Sequence, residues 1–575
     1  IASGGNYNVV VGDEAGTAIT TGDQNIAIGY VALQSEDTGS RSIAIGYSAL
    51  QNQNNDANNY NVAVGHEAGG AITTGVANTF IGGLAGDATD DGSYNAAVGY
   101  AALSANCGND NTAMGVSALA VNTAASNTAF GRAALAANTT GTRNVALGAE
   151  ALEANTTAND NTAVGYQALE AATTGGENTA MGNYSLKANT TGTNNVAIGD
   201  QALEANTTAA NNTGVGYRAL EANTTGANNV AVGYNALDAN TTAASNTAVG
   251  YASLGTNTTG ANNTSLGFES LYANTTAANN TAVGYAALTA NTTGTQNVSL
   301  GAYALDANTT ASYNNAFGYA ALGANTTGTQ NNAFGFSALV TNTTGNNNVG
   351  MGQSALTANT TGSSNVALGA YSLDANTTAS NNTAVGYDSL TANTGHNHVA
   401  VGYNALAANT TVNGNTAVGY NSMAANTTGE GNAAFGYLSL DTNTTGANNT
   451  AVGYNSLTAN TTGAGGTAVG RNSLLANTTG AANTGLGHAA LAANTTGAGN
   501  VAIGNSLSAN TTGSYNVSVG HVALNTNTTA DNNTAVGYNS LLANTTGTNN
   551  VAVGAATLDA NTTGGDNTGL GRGAL

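Results

Sequence analysis

Residues 449–465 read Asn-Thr-Ala-Val-Gly-Tyr-Asn-Ser-Leu-Thr-Ala-Asn-Thr-Thr-Gly-Ala-Gly, and close variants of this stretch fill almost the whole sequence. Aligned on Gly453, the chain holds about 34 copies, most of them roughly 17 residues apart. One spacing, which includes residues 51–59, is longer by about two residues, and a few are shorter by about one. The short spacings end at Gly115, Gly131, Gly402 and Gly520. We expect turns to absorb these changes while the strands stay in register.

The pattern inside each repeat favours strands over helices. An apolar residue precedes each aligned glycine, and Leu follows four positions later with few exceptions, among them Gly16, Gly69, Gly86 and Met423. Aligned glycines, β-branched residues and Asn-Thr-Thr blocks leave no uninterrupted run for three helical turns. The alternation in Thr-Ala-Val and in Leu-x-Ala predicts two short strands per repeat, with Val and Leu in the core.

A unit this small cannot bury its apolar positions alone, so the copies must stack. The predicted fold class is therefore all-β, a repetitive parallel β-solenoid of the β-roll type with about 34 rungs of ~17 residues. We expect residues 1–120 to form irregular early rungs and residues 121–575 to form the regular part of one continuous repeat domain.

The composition excludes several classes of protein. The 575 residues include 78 Gly, no Pro and only 6% charged residues, but 41% are hydrophobic, which is too many for a disordered chain. Seven Lys and Arg against 29 Asp and Glu leave no basic cluster for nucleic acid, and we attribute the formal charge of −22 to solubility. Cys107 is the only cysteine, so no intrachain disulfide can form. No apolar run reaches the ~20 residues of a membrane span, so we expect no membrane insertion.

The ends of the sequence bear on its extent. The chain does not begin with Met, and it stops within a repeat at Leu575. We expect the native polypeptide to be longer, with an anchor or cap outside this stretch.

No catalytic constellation is apparent, so we expect no enzyme activity, no catalytic residues, no cofactor and no metal site. His396 and His398 have two interpretations. Three copies of the pair around a common axis could hold a transition metal. Alternatively, and more simply, both are exposed residues of a turn.

The Asn-Thr-Thr tripeptide recurs about two dozen times and matches the N-glycosylation acceptor pattern. We favour a structural role instead, in which identical turns stack and their Asn and Thr side chains hydrogen-bond from rung to rung. Rows of Thr at strand spacing also suggest a remote alternative, an ice-binding surface.

Two blocks carry a family resemblance, Asn195-Val196-Ala197-Ile198-Gly199 and Asn500-Val501-Ala502-Ile503-Gly504. They resemble the head repeats of YadA-like trimeric autotransporter adhesins, and similar arrays occur in phage tail-fibre-like and bacterial surface proteins. The resemblance implies a left-handed parallel β-roll, three chains side by side and attachment to a surface. The adhesin repeat is shorter than the present one, and the additional residues fall around Asn-Thr-Thr-Gly.

Tyrosines often follow the aligned glycine, and this stripe agrees with a homotrimer. A row of Tyr left in water would exceed the apolar patch of a usual monomer, so burial against sister chains is one interpretation. The other is that Tyr closes the core of its own chain. The residues are Tyr166, Tyr217, Tyr234, Tyr251, Tyr285, Tyr387, Tyr403, Tyr420 and Tyr454.

From these features we expect an extracellular structural or adhesive fibre, either a phage tail fibre or the shaft of a bacterial surface adhesin. The expected partners are further copies of the chain, in a homotrimer, and a cell-surface polysaccharide or receptor. The alternative is a passive spacer or extracellular filament that binds no ligand.

Overall fold

The computed structural model describes residues 4–575. Two compact units divide the chain, one comprising Ile1–Ala286 and the other Ala287–Leu575. Each unit is a parallel β-solenoid, and residues 4–575 contain no helix. Consequently no helix in this range has the length and apolar character needed to cross a membrane.

Each turn of either solenoid contributes a single strand of three residues. In the first unit the strands are β1 (Val9–Val11), β2 (Ile26–Ile28), β3 (Ile43–Ile45), β4 (Val62–Val64), β5 (Thr79–Ile81), β6 (Ala96–Val98), β7 (Thr112–Met114), β8 (Thr128–Phe130), β9 (Val145–Leu147), β10 (Thr162–Val164), β11 (Thr179–Met181), β12 (Val196–Ile198), β13 (Thr213–Val215), β14 (Val230–Val232), β15 (Thr247–Val249), β16 (Thr264–Leu266) and β17 (Thr281–Val283). In the second they are β18 (Val298–Leu300), β19 (Asn315–Phe317), β20 (Asn332–Phe334), β21 (Val349–Met351), β22 (Val366–Leu368), β23 (Thr383–Val385), β24 (Val399–Val401), β25 (Thr416–Val418), β26 (Ala433–Phe435), β27 (Thr450–Val452), β28 (Thr467–Val469), β29 (Thr484–Leu486), β30 (Val501–Ile503), β31 (Val517–Val519), β32 (Thr534–Val536), β33 (Val551–Val553) and β34 (Thr568–Leu570).

Within each unit, consecutive strands pair in parallel and in register, as the sequence predicted. Across the longest spacing Ile43 still pairs with Val62, and across a short spacing Thr383 pairs with Val399. The extra residues of the long repeat lie in an exposed segment at 54–58, between the buried side chains of Gln53 and Asn59. Turns therefore absorb the changes in length, as expected.

The second predicted strand, around the repeated Leu, is wrong. This part of each repeat is a series of tight turns in which Gln167 and Leu169 both have positive φ, 52° and 55°. The backbone N–H of Gln167 donates to Ala149 of the preceding turn, and that of Leu169 donates to Ser185 of the following turn. The N–H groups of these two residues thus reach opposite neighbouring turns, and the bond from Leu169 helps to hold Leu in a conformation that costs an L-residue about 1–2 kcal/mol.

The repeated Leu is a core residue, as predicted, but the assignment of Val to the core is wrong. In β10 the fully buried residue is Ala163, whereas Thr162 and Val164 on either side are partly exposed. Alternation along the strand places its middle residue inside and its two flanking residues outside. The interior is so narrow that Ala opposite a buried Leu, such as Leu169, fills it.

One exception to this packing explains two missing leucines. Phe80 replaces Ala at the inward position of β5 and is fully buried. Glycine occupies the Leu position in the turns on either side, and a Cβ at Gly69 or Gly86 would come within 2.9 or 2.7 Å of the Phe80 ring. A larger strand residue is therefore matched by smaller turn residues, which keeps the volume of the interior constant.

The aligned glycine is required because neighbouring turns approach closely there. Gly233 has φ 138°, and a Cβ on it would lie 2.4 Å from the carbonyl oxygen of Gly250 in the next turn. Any side chain would separate the two turns, so this position accepts only glycine.

Two columns of buried asparagines complete the interior. In one, the backbone N–H of Asn229 donates to Oδ1 of Asn212, and Nδ2 of Asn229 donates to the carbonyl of Ala243, both over 2.9 Å. In the other, Nδ2 of Asn223 donates to Oδ1 of Asn206 over 2.9 Å. Along most of each column one amide hydrogen-bonds to the next, so these polar groups are buried with their donors and acceptors largely paired.

Candidate interaction surface

The outward side of the strands forms an uncharged surface, which we call the strand face: the first and third residues of each strand. The third residue is Val, Ile, Leu, Met or Phe in all strands β1–β34, and the first is Val, Ile, Thr, Ala or Asn. None of the chain's 29 acidic residues lies in these strands. Val232, for example, is an apolar strand residue with 36% of its surface exposed. The same apolar column continues on every turn of each unit.

Aromatic side chains just after the aligned glycine stack on one another. Tyr403 and Tyr420 have ring centroids 5.2 Å apart and an interplanar angle of 11°. The longest continuous stack of tyrosines, which we call the tyrosine ladder, consists of Tyr387, Tyr403, Tyr420, Tyr437 and Tyr454. A similar stack in the first unit comprises Tyr217, Tyr234, Tyr251, Phe268 and Tyr285.

The rings are not part of the core of their own chain. Tyr454 is 48% exposed, and the other members of the tyrosine ladder have similar exposure. The interpretation that Tyr closes the core of each chain is therefore wrong for these residues. In these turns the repeated Leu and the buried asparagines fill the interior, whereas the buried ring of Phe80 is accommodated by glycines at the Leu positions on either side.

The Asn-Thr-Thr turns do not offer their asparagine for glycosylation. Asn206 is fully buried, and its Nδ2 donates to Oδ1 of Asn189 and to the carbonyl of Ala209. The first threonine, Thr207, donates its hydroxyl to the carbonyl of Thr224 over 3.1 Å. The predicted ladders are thus present in the folded chain. The second threonine of the tripeptide, such as Thr208, is exposed.

The two histidines do not form a pair suited to a metal. His398 is fully buried in an asparagine column, where Nδ1 accepts the N–H of Asn415 and Nε2 lies 2.7 Å from the carbonyl of Val412. Burial lowers the pKa of His398 below its ordinary value. Only His396 is exposed, as expected for a turn residue, and its Nδ1 accepts the N–H of Ser380.

A charged groove in the first unit was not foreseen from the sequence. Its floor is formed by alanines and its walls by Glu153, Glu170, Lys187, Glu204 and Glu221, which enclose about 850 Å³. These side chains project from one position on five successive turns. The sequence could have indicated this groove, because charged residues spaced by one repeat become neighbours when the turns stack.

The acidic groups of this groove are partly balanced by basic and amide groups. Carboxylate oxygens of Glu150, Glu153 and Glu170 lie within 4.8 Å of one another. Hydrogen bonds from Gln167 and then Arg132 lower the pKa of Glu150, whereas burial, reinforced by Glu150 and Glu170, raises the pKa of Glu153. Lys187 lies 3.7 Å from Glu170.

Comparison with known proteins adds no relative. No protein-family model matches the chain, and no curated protein matches it in sequence. The function of the chain is therefore inferred from its fold and its exposed surfaces.

Proposed function

We propose that the chain is the repetitive part of an extracellular structural or adhesive fibre, in which copies associate side by side as a homotrimer through the strand face and the aromatic stacks. The observation that carries this proposal is the uncharged apolar surface that recurs on every turn. A half-exposed Tyr contributes about 100 Å² of surface, so a five-turn stack alone approaches the largest apolar patch of a usual monomer.

Charge supports this choice of surface. The chain carries a formal charge of −22, which opposes association of copies over most of their surface. The strands contain no charged residue, so two strand faces can meet without bringing carboxylates together. A standard interface buries about 800 Å² per partner, and several turns of strand face and aromatic stack supply that area.

Attachment to a target is the second part of the proposal. Identical turns repeat the same exposed groups along each unit, so weak contacts with a repetitive polymer add through effective concentration. A cell-surface polysaccharide is the proposed class of target, on a virion tail fibre or a bacterial adhesin shaft. The proposal also includes what the resemblance to adhesin heads implies, namely a left-handed solenoid and attachment to a surface.

A glycan-binding assay on the purified chain tests attachment. Binding to cell-surface polysaccharides that survives moderate salt supports an adhesive fibre. Absence of binding across such a panel, with the chain folded, contradicts adhesion and favours the passive spacer. The arrangement of Thr207 does not favour the ice-binding alternative in the Asn-Thr-Thr turns, because its hydroxyl is already donated to the carbonyl of Thr224.

A further inference from the structure

We propose that the tyrosine ladder is a site of oxidative cross-linking, at which a one-electron oxidant joins the phenols of neighbouring turns into dityrosine. The oxidant is of the class that a haem peroxidase generates from hydrogen peroxide. This inference goes beyond the proposed function and concerns the ladder as it stands in the unassembled chain. Both phenols of each pair belong to one chain, so coupling needs no sister chain, whereas an interface over these rings would shield them from the oxidant.

Geometry is the first support. Four successive pairs of rings in the ladder have centroids between 5.2 and 5.7 Å apart and interplanar angles of 7° to 11°. The turns that carry the rings are fixed by strand pairs on the opposite side of the glycine, for example Val401 with Val418. In the folded chain two phenols are therefore held next to each other and need not find each other by diffusion.

Exposure is the second support. Each ladder ring keeps nearly half of its surface in solvent, so a phenol can lose its proton to water when it is oxidised. Because the ring faces are stacked on one another, the edges are what solvent and an oxidant reach. A radical formed on one ring has another phenol as its immediate neighbour on either side at Tyr403, Tyr420 and Tyr437.

Coupling of two adjacent phenols is a balanced two-electron oxidation. Each phenol gives one electron to the oxidant and its hydroxyl proton to water, which leaves two phenoxyl radicals. The radicals form one carbon–carbon bond between ring positions ortho to the oxygens. Each of those carbons then loses its hydrogen as a proton while each oxygen regains one, which restores both aromatic phenols. In total two electrons and two protons leave the pair.

The chain contains natural comparisons. Phe268 lies between Tyr251 and Tyr285 with centroid distances of 5.0 and 5.2 Å, so phenylalanine preserves the stack without supplying a phenol. Tyr94 and Tyr515 are more exposed than any ladder ring, at 62% and 67%, and form no ring contact within residues 4–575. Reactivity set by exposure alone would favour these two residues, whereas reactivity set by adjacency favours the ladder.

The test oxidises the whole chain, diluted until sedimentation shows single chains, with a haem peroxidase and hydrogen peroxide, and in parallel with photoactivated ruthenium tris-bipyridyl and persulfate. An equal mixture of isotopically heavy and light chains is used, and cross-linked peptides are identified by mass spectrometry. We expect dityrosine between Tyr403 and Tyr420 and between Tyr420 and Tyr437, in light–light and heavy–heavy form. If the products at these residues are instead mixed, with one heavy and one light peptide, the coupling lies between chains and the proposal is overturned.

Two triple variants complete the test. Tyr387→Phe/Tyr420→Phe/Tyr454→Phe removes every tyrosine–tyrosine contact of the ladder, and we expect loss of its cross-linked peptides while those of Tyr217 and Tyr234 persist. The matched control Tyr94→Phe/Tyr313→Phe/Tyr515→Phe removes three exposed phenols outside the ladder and should leave the ladder products unchanged. Products that disappear in the control, or that form only at Tyr94 and Tyr515 in the wild-type chain, would contradict the inference.

Discussion

The backbone N–H of Asn415 donates to Nδ1 of His398 over 3.1 Å, so a histidine takes the place that asparagine has in the neighbouring turns. Nδ1 must be unprotonated to accept this bond, and Nε2 then carries the proton beside the carbonyl of Val412. Protonation would place a second N–H donor against the N–H of Asn415. Residue His398 thus couples the stability of its turn to pH.

The first prediction concerns that coupling. Burial lowers the pKa of His398 in the folded chain, and an electrostatic contribution from the nearby His396 adds to this shift. The unfolded turn therefore binds a proton at a higher pH than the folded turn. The turn therefore has its full stability above pH 6.5, the ordinary pKa of histidine in an unfolded chain. As the pH falls below this value, the equilibrium constant for opening the turn rises by up to about tenfold per pH unit.

Hydrogen-exchange protection factors of the turns around residues 382–415, measured at pH 7.5 and pH 5, check this. His398→Asn restores the asparagine column and should remove the pH dependence locally. His396→Asn is the matched control and should retain most of it. Equal protection at both pH values in the wild-type chain would contradict the tautomer assigned to His398.

The second prediction concerns a gap in the other asparagine column. Ala172 stands where neighbouring turns have asparagine, and Oδ1 of Asn155 is buried without a hydrogen-bond partner. Ala172→Asn should donate to Asn155 and accept from Asn189, which stabilises the local turns by about 1–2 kcal/mol. Local hydrogen exchange measures the gain, and Ala171→Asn, one residue away and half-buried, should give none.

The third prediction tests which strand residue faces inward. Ala163→Leu places a larger side chain where the interior is already filled and should destabilise β10 and its neighbours by about 1–3 kcal/mol. Val164→Thr alters an outward residue and should change local stability by less than about 0.5 kcal/mol. Hydrogen exchange of β9 to β11 is the measurement. The reverse order of effects would restore Val to the core.

The fourth prediction concerns the repeated leucine. Leu305→Asp places a charge at a fully buried position and should open its own turn and both neighbours, because each turn is stabilised by the turns beside it. Thr310→Asp, at an exposed position of the same turn, is the control and should leave exchange unchanged. Limited proteolysis reports the difference. Equal resistance of the two variants would show that the leucine column is not part of the core.

Much of the fold was predictable because the repeat fixes the register. Spacing alone showed that Ile43 would pair with Val62 despite the longer repeat. The inward position was missed because Ala163 is less hydrophobic than Val164, and only the width of the interior decides between them. The conformation of Leu169 was missed because positive φ is unfavourable for leucine, and hydrogen bonds to other turns compensate for it.

The surfaces were less predictable than the fold. The Tyr stripe was visible in the sequence, but the nearly parallel rings of Tyr403 and Tyr420 result from the close superposition of turns. The charged groove was not predicted from the sequence, because Glu153 and Glu170 are 17 residues apart along the chain and each resembles an ordinary surface residue. Only stacking of the turns brings their carboxylates together.

The fifth prediction concerns association through the aromatic stack. Tyr387→Ser/Tyr403→Ser/Tyr420→Ser removes three adjacent rings, each worth about 1–3 kcal/mol if buried between chains. Association should weaken, and the loosening should remain local, since turns are coupled chiefly to their neighbours. Sedimentation velocity and local hydrogen exchange are the measurements, and the Phe triple variant of the ladder is the control that preserves the apolar surface. An unchanged assembly in the Ser variant would exclude these rings from the interface.

The proposed side-by-side fibre is tested most directly by sedimentation equilibrium of the wild-type chain at micromolar concentration. One chain has a mass of 55.8 kDa. The account predicts a stable species of three times that mass that persists in high salt, because the strand face is apolar and uncharged. A folded species that remains at the mass of a single chain would contradict it.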